Sequence, residues 1–166
     1  MRAARLALLR SGVDGVRVEA LARDLKVTKG SFYWHFRDLA ALKEALVAEW
    51  EAESHLLRRA MGDPQAVRDL IALITEQVAN SERGESPSDA AIFRWAAIDP
   101  AVAERVNRAE AERIELVRQL ARTPELGDLV YMAYLGFLLR MRHAPDAEAR
   151  FATWARFATE SWGAKS

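Results

Sequence analysis

Apolar residues recur every three or four positions along most of this chain, which is the spacing of amphipathic α-helices. Four of them fall on one stripe of a short helix near the N-terminus: Val18, Leu21, Ala22 and Leu25. A tight link, Lys26-Val27, follows, and Thr28 opens the next helix as an N-cap, which leaves amides of the first turn able to meet an anion. Two short helices joined in this way predict a helix-turn-helix.

The remaining helices are separated by breaks that contain glycine or proline. A first helix is predicted at residues 3–11, and a long one from about Asp38, its cap, to Met61. Further helices are predicted at 64–81, 88–97, 100–121, 125–143 and 146–162. No period-two alternation is long enough for a sheet. The sequence therefore predicts an all-α fold of about nine helices, with a three-helix head (residues 1–45) joined to a helical body (residues 46–166).

The last two predicted helices are apolar over more of their circumference than one small domain can bury. Apolar side chains surround the helix from Leu129 to Met141, and the final helix carries an aromatic stripe. We therefore predict a homodimer held by a four-helix bundle, with two helices from each subunit. The residues expected at this dimer interface are Met132, Gly136, Phe137, Trp154, Phe157 and Ala158.

Charge is balanced over the whole chain but unevenly distributed along it. Residues 1–37 hold eight Lys or Arg against three acids, a net charge of +5, and the rest of the chain is therefore at −5. A basic head on an acidic body predicts salt-sensitive binding of a polyanion. The chain has no cysteine, its N-terminus lacks the apolar core of a signal peptide, and its longest apolar stretch, 129–139, is far shorter than the roughly 20 residues of a membrane span. These features predict a soluble cytoplasmic protein without a membrane partner.

Nothing in the sequence indicates catalysis. The three histidines, His35, His55 and His143, are scattered, and no zinc-protease, glycine-rich phosphate-loop or serine-nucleophile motif is present. We therefore predict that the protein is not an enzyme and has no metal site and no cofactor.

Sixteen consecutive residues carry a resemblance to a known family. The run 21–36 reads Leu-Ala-Arg-Asp-Leu-Lys-Val-Thr-Lys-Gly-Ser-Phe-Tyr-Trp-His-Phe. It resembles the DNA-binding domain of the tetracycline-repressor (TetR/AcrR) family of bacterial transcription regulators. The resemblance covers residues 2–50 strongly, and beyond them only Arg94-Trp95-Ala96-Ala97 and Asp99-Pro100 resemble ligand-domain sequences of some members.

The resemblance implies which side chains contact DNA. Lys29, Ser31 and Trp34 would face bases or neighbouring phosphates, whereas Tyr33 and His35 would clamp the backbone. The full expected set is Arg17, Thr28, Lys29, Gly30, Ser31, Tyr33, Trp34, His35 and Lys43. In a dimer, two such helices spaced by about 34 Å would enter successive major grooves of a palindromic operator in double-stranded DNA. The alternative is that the three large rings at 33–35 only pack inside a helical hairpin.

Three positions depart from the family pattern. Lys26 stands where a small turn residue, often glycine, is usual, so it must adopt a positive φ or the turn must change. Arg17 replaces a hydroxyl cap, and Leu39 replaces a phosphate-binding lysine at the start of the fourth helix. Arg37 or Lys43 could substitute for that lysine.

The body offers apolar and aromatic side chains for a small-molecule effector, although such stripes more often form plain core. The candidate lining is Trp50, Ile74, Val78, Phe93, Trp95, Ile114, Tyr131 and Tyr134. The resulting interpretation is a dimeric transcription regulator, a repressor that a small apolar ligand releases from its operator. The alternative function is a helical protein-interaction module that no longer binds DNA, for which Leu39 and Lys26 would be the signs.

Overall fold

The computed structural model describes residues 1–59, 64–141 and 144–161 of the chain. These residues contain nine helices: α1 (Arg2–Ser11), α2 (Val18–Asp24), α3 (Lys29–Tyr33), α4 (Leu39–Arg59), α5 (Pro64–Glu82), α6 (Asp89–Ala96), α7 (Pro100–Leu120), α8 (Pro124–Gly136) and α9 (Ala147–Ser161). They contain no β-strand, which confirms the predicted all-α fold with an N-terminal helix-turn-helix. The predicted helix ends at 61, 143 and 162 lie outside the described residues. None of the described helices has the length and apolar character needed to cross a membrane.

The chain divides by packing into two compact units. The first unit comprises Met1–Glu53 and Thr75–Val106, and the second comprises Ser54–Ile74 and Asn107–Ser166. The three-helix head therefore shares its unit with α6 and with parts of α4, α5 and α7. The functional division between residues 1–45 and 46–166 stays a prediction.

Helix α2 buries three of the four residues of its predicted stripe. Val18, Leu21 and Ala22 are buried, but Leu25 is exposed. The prediction for Leu25 was wrong because α2 already ends at Asp24, so that Leu25 lies at the C-cap and the chain turns away. The 3.6-residue period identifies the stripe but not the residue at which a short helix stops.

Lys26 makes the turn between α2 and α3 with a φ of 55°, as its departure from the family pattern predicted. The Val27 amide donates to the Ala22 carbonyl at 2.9 Å, and the Lys26 amide donates to the Arg23 carbonyl at 3.1 Å. These two bonds form a Schellman motif, which pairs carbonyls that the end of a helix leaves free. The left-handed conformation costs lysine about 1 kcal/mol. The turn is therefore kept without glycine.

Side-chain caps fix where α3 and α4 begin. The Ser31 amide donates to Thr28 Oγ1 at 3.2 Å, and the Ala41 amide donates to Asp38 Oδ1 at 2.7 Å. Both residues were predicted as caps from the sequence, and both predictions are confirmed. Beyond its cap, α4 buries the apolar residues Leu42, Leu46, Val47 and Trp50. This stripe ties the head to the remainder of the first unit.

Arginine side chains fasten α1 to the segment 83–94 within the first unit. Arg5 Nε donates to the Gly84 carbonyl at 2.7 Å, and Arg94 Nη2 donates to the Leu9 carbonyl at 2.6 Å. Gly84 has a φ of 70°, and a Cβ there would lie 2.6 Å from Leu6 Cγ. Only glycine therefore permits this close approach without displacement of the α1 side chain.

In the second unit, α7, α8 and α9 pack closely. A Cβ on Gly127 of α8 would lie 2.7 Å from Arg118 Cα of α7, so glycine permits the two backbones to approach. Arg118 Nε donates to Asp128 Oδ1 at 2.6 Å beside this contact. Trp154 Nε1 donates to the Val130 carbonyl at 3.1 Å and so joins α9 to α8.

Candidate nucleic-acid interface

Helix α3 and the residues after it present large side chains to solvent. Tyr33 is 58% exposed and Trp34 is 89% exposed, and His35 is exposed as well. Phe32 and Phe36 are half-buried, with ring centroids 5.7 Å apart. The alternative in which the rings at 33–35 only pack inside the head is therefore wrong. Exposed aromatic rings side by side mark a surface that meets a partner.

The backbone at the start of α3 is open to close approach. Thr28 and Gly30 are exposed, and Ser31 is half-buried with its amide on Thr28 Oγ1. A Cβ added at Gly30 would meet only Thr28 Oγ1, at 3.5 Å, so the fold does not require glycine here. The absence of a side chain leaves space above the first turn of α3.

The other predicted DNA contacts lie on α2 and α4. Arg17 is the N-cap residue of α2, caps nothing with its side chain, and donates from Nε to the Asp14 carbonyl at 2.7 Å. Its guanidinium is exposed, in agreement with the lost cap that the sequence predicted. Leu39 begins α4 and is half-buried, and Lys43 is half-buried one turn later. The first turn of α4 from Leu39 therefore offers no cation of its own.

An ion pair joins the first turns of α2 and α3. Lys29 Nζ lies 2.7 Å from Glu19 Oε1, and both side chains are more than half exposed. The hydrogen bond from Lys29 lowers the pKa of Glu19, and the same bond raises the pKa of Lys29, so both are charged at neutral pH. Glu19 was not among the predicted site residues. A pair ten positions apart on two different helices leaves no periodic signal in the sequence.

Carboxylates from two helices gather deeper in the first unit. Glu49 and Glu53 of α4 lie near Asp89 of α6, and Arg5 Nη1 donates to Glu49 Oε1 at 2.6 Å. Gln77 Nε2 of α5 donates to Glu53 Oε2 at 3.2 Å. Burial, and then the charge of Glu49, raises the pKa of Glu53 to about 7. Glu53 therefore titrates near neutral pH.

This raised pKa predicts that stability falls as pH rises from 4.5 to about 7. In that window the unfolded chain has lost the Glu53 proton while the folded chain still holds it, so folding binds a proton. We expect Glu53→Gln to raise the free energy of unfolding at pH 8 by about 1–2 kcal/mol, after allowance for solvent screening at a half-exposed group. Urea titrations should show no gain at pH 4.5. An equal gain at both pH values would contradict the raised pKa.

The predicted effector residues of the first unit are integrated into its core. Trp50 is fully buried, donates from Nε1 to Asp89 Oδ1 at 2.6 Å, and meets Phe93 edge-on with ring centroids 6.1 Å apart. Trp95 is also buried and donates from Nε1 to Asp99 Oδ2 at 3.1 Å. Val78 is half-buried on α5. These contacts place Trp50 and Trp95 in the core, and the role of all four residues toward a ligand stays a prediction.

The other predicted effector residues belong to the second unit. Tyr131 and Tyr134 are buried with ring centroids 6.4 Å apart, and Tyr131 Oη donates to Glu110 Oε1 at 3.3 Å. Ile74 and Ile114 are half-buried. The two tyrosines thus form an aromatic pair with at least one satisfied polar tip, and their ligand role is likewise a prediction.

The predicted dimer residues divide into two groups. Phe137, Trp154 and Ala158 are buried within the second unit of the subunit itself. Met132 is 61% exposed, and Gly136 and Phe157 are exposed as well. Two further exposed apolar residues, Leu129 and Leu139, continue the row of Met132 along α8 and the π-helical turn Phe137–Met141. We call Leu129, Met132, Gly136, Leu139 and Phe157 the α8–α9 apolar surface.

An exposed recognition helix, a tight turn and a supporting helix in a basic head define a helix-turn-helix DNA-binding domain. Residues 1–49 match the family model described as bacterial regulatory proteins, tetR family. The chain is 44% identical over 55 residues to the tetracycline repressor protein class A from transposon 1721 of Escherichia coli. This match covers 33% of the chain and 26% of that relative, so the chain spans about a quarter of its length. Residues 1–49 therefore form a DNA-binding domain of the tetR-family type, as the sequence predicted.

Proposed function

We propose that this protein is a dimeric transcription regulator that binds a palindromic operator through α3 and loses its affinity when a small apolar ligand binds. The observation that carries the proposal is the recognition surface of α3. Trp34 is 89% exposed beside the exposed Tyr33, at the end of a helix whose first residue is a lysine. Rings and cations on one short exposed element suit base edges and phosphates.

The electrostatics of the head support binding of a polyanion such as a nucleic acid. Residues 1–37 have a net charge of +5, and Arg17 extends the exposed cations from α3 to the start of α2. Phosphate contacts from such residues set register, whereas few side chains on α3 reach the bases. Affinity should therefore depend strongly on salt.

The α8–α9 apolar surface supports dimerisation. Met132 and Leu129 lie three residues apart on α8, and Phe157 of α9 is exposed beside the core residue Ala158. Apolar side chains exposed on two neighbouring helices are typical of a surface that binds another protein. In a two-fold dimer this interface is isologous, so each subunit covers the same surface of the other. Two heads held by one interface can then occupy both half-sites of a palindrome.

We expect the double substitution Met132→Glu and Phe157→Glu to convert the dimer to monomers, because two buried unpaired charges per subunit oppose association. Sedimentation equilibrium should give a mass near the 18.6 kDa of one chain, in place of twice that mass. Ile98→Glu is the matched control, since Ile98 is 69% exposed and lies in the first unit. A variant that remains dimeric would place the interface elsewhere.

The proposed effector is small and apolar, since aromatic side chains with polar tips are suited to it. Tyr131 and Tyr134 are the candidates in the second unit, and Trp50, Phe93 and Trp95 those in the first. Release would be a population shift: a ligand that prefers the DNA-free conformation lowers operator affinity in proportion to that preference. The relative named a tetracycline repressor supports repression as the output.

Selection of duplexes from a random library by the purified full chain tests the proposal. We expect one enriched palindromic sequence, and a binding constant that falls with salt by a log–log slope of about 0.9 for each phosphate contacted. The protein-interaction alternative predicts no enrichment and no specific complex at any salt concentration. Lys26 does not favour that alternative. The Schellman turn forms with Lys26 at a positive φ, and the large side chains that follow it on α3 remain exposed.

A further inference from the structure

We infer that Glu19 and Lys29 together read a single G·C base pair in the major groove, with Lys29 on the guanine and Glu19 on the cytosine. The inference rests on the proposed DNA binding and names a specificity-determining residue, Glu19, on α2. It assigns to the operator one position at which two helices of the same head contribute one side chain each.

The spacing of the two side chains matches the edge of the base pair. Lys29 Nζ and Glu19 Oε1 lie 2.7 Å apart. Guanine O6 and cytosine N4 are joined by a Watson–Crick hydrogen bond of about 2.9 Å. Lys29 can therefore donate to O6 while the second amino hydrogen of N4 is donated to Glu19. The two existing bonds, one in the protein and one in the base pair, close a ring of four hydrogen bonds.

The donor and acceptor pattern selects G·C over A·T. Guanine offers two neighbouring acceptors, N7 and O6, to the Lys29 ammonium, and cytosine offers the N4 amino group to a carboxylate. An A·T pair also places an amino group beside a carbonyl, but thymine gives the ammonium only O4, next to a methyl group. Lys29 therefore has two acceptors at guanine, N7 and O6, but only one at thymine, O4.

The position of Glu19 is otherwise unfavourable for DNA binding. A carboxylate on the exposed first turn of α2 repels phosphates, and an exposed ion pair contributes little to folding. Both side chains of the pair are more than 60% exposed, so the ion pair itself contributes little to stability. A base amino group can offset this repulsion, because it donates a hydrogen bond to the Glu19 carboxylate. The raised pKa of Lys29 and the lowered pKa of Glu19 agree with a pair that is fully charged when DNA arrives.

The test measures base preference, not only affinity. The full-length chain and its Glu19→Ala variant are titrated with the selected operator and with the three alternative base pairs at each position. We expect Glu19→Ala to reduce the preference for G·C over the reversed pair C·G at one position by roughly 5- to 150-fold, because C·G places a carbonyl where Glu19 needs an amino group. Asp24→Ala is the matched control, because Asp24 is an exposed acid on the same helix, where it pairs with Arg23 at 3.8 Å. Both variants remove one negative charge and both should bind random DNA somewhat more tightly.

A double-substitution cycle supplies the second readout. Because Glu19 and Lys29 act on one base pair, Lys29→Ala should abolish preference at that same position, and the double variant should lose no more than Lys29→Ala alone. Identical base preferences for wild type, Glu19→Ala and Asp24→Ala would overturn the inference and leave the proposed function intact, as would a wild-type preference for A·T there. A wild-type chain that enriches no duplex would instead overturn the proposed function.

Discussion

Replacement of Trp50 by alanine is expected to lower the free energy of unfolding by about 4 kcal/mol or more. Two losses contribute to this value. The large-to-small substitution of a fully buried tryptophan costs about 3–5 kcal/mol in transfer and cavity terms. In addition, the indole donates to Asp89 Oδ1 at 2.6 Å, and its removal takes a donor from a carboxylate that is itself buried.

The matched control for this prediction is Trp34→Ala, the same substitution at a side chain that is 89% exposed. Urea denaturation should show a change below about 0.5 kcal/mol for Trp34→Ala. Trp50→Phe separates the two losses, since it keeps most of the apolar contact with Phe93 while it removes the donor. If Trp50→Ala were to cost less than about 1.5 kcal/mol, the side chain would not hold α4 against α6 as the contacts indicate.

The fold could be predicted from the sequence largely because caps and breaks are local. Thr28 and Asp38 bond amides three residues ahead, and each proline stands where its missing donor is harmless, so these signals lie within one turn of the feature they determine. The positive φ of Lys26 was one of two outcomes predicted from the family pattern, in which a small residue, often glycine, is usual at this turn. The end of a short helix was harder to predict, because Leu25 continues the apolar period of α2 and yet lies beyond its last residue.

The parts of the site that depend on packing between distant segments could not be predicted. An apolar helix such as α8 does not reveal which of its faces the same chain covers, so Phe137 and Met132 looked equally available for a partner, although only Met132 is exposed. The hydrogen bond from Trp50 to Asp89, 39 residues away, could not be predicted either, because nothing near Trp50 in the sequence indicates it. Glu19 was missed for a similar reason, since its pairing with Lys29 exists only after the turn has formed.

Trp34→Ala is expected to leave the fold unchanged and to weaken operator binding by roughly 10- to 100-fold, because a contact to a base edge is worth about 1–3 kcal/mol. Trp34 lies at the C-cap of α3 and its ring is almost fully in solvent, so its removal exposes no core. Fluorescence anisotropy with the selected operator and with a random duplex of equal length measures the effect. The loss should be larger on the operator than on the random duplex.

Tyr33→Ala provides the contrast that makes the Trp34 prediction specific. If Tyr33 contacts the backbone, its removal should weaken binding to the operator and to random DNA by the same factor, because phosphates carry no sequence information. Trp34 and Tyr33 are neighbours with exposed rings, so a general loss of apolar surface would affect both duplexes alike for either variant. If Trp34→Ala lost the same factor of affinity for both duplexes, Trp34 would not contact the bases. Base recognition would then be assigned to the first turn of α3, where Lys29 contacts Glu19.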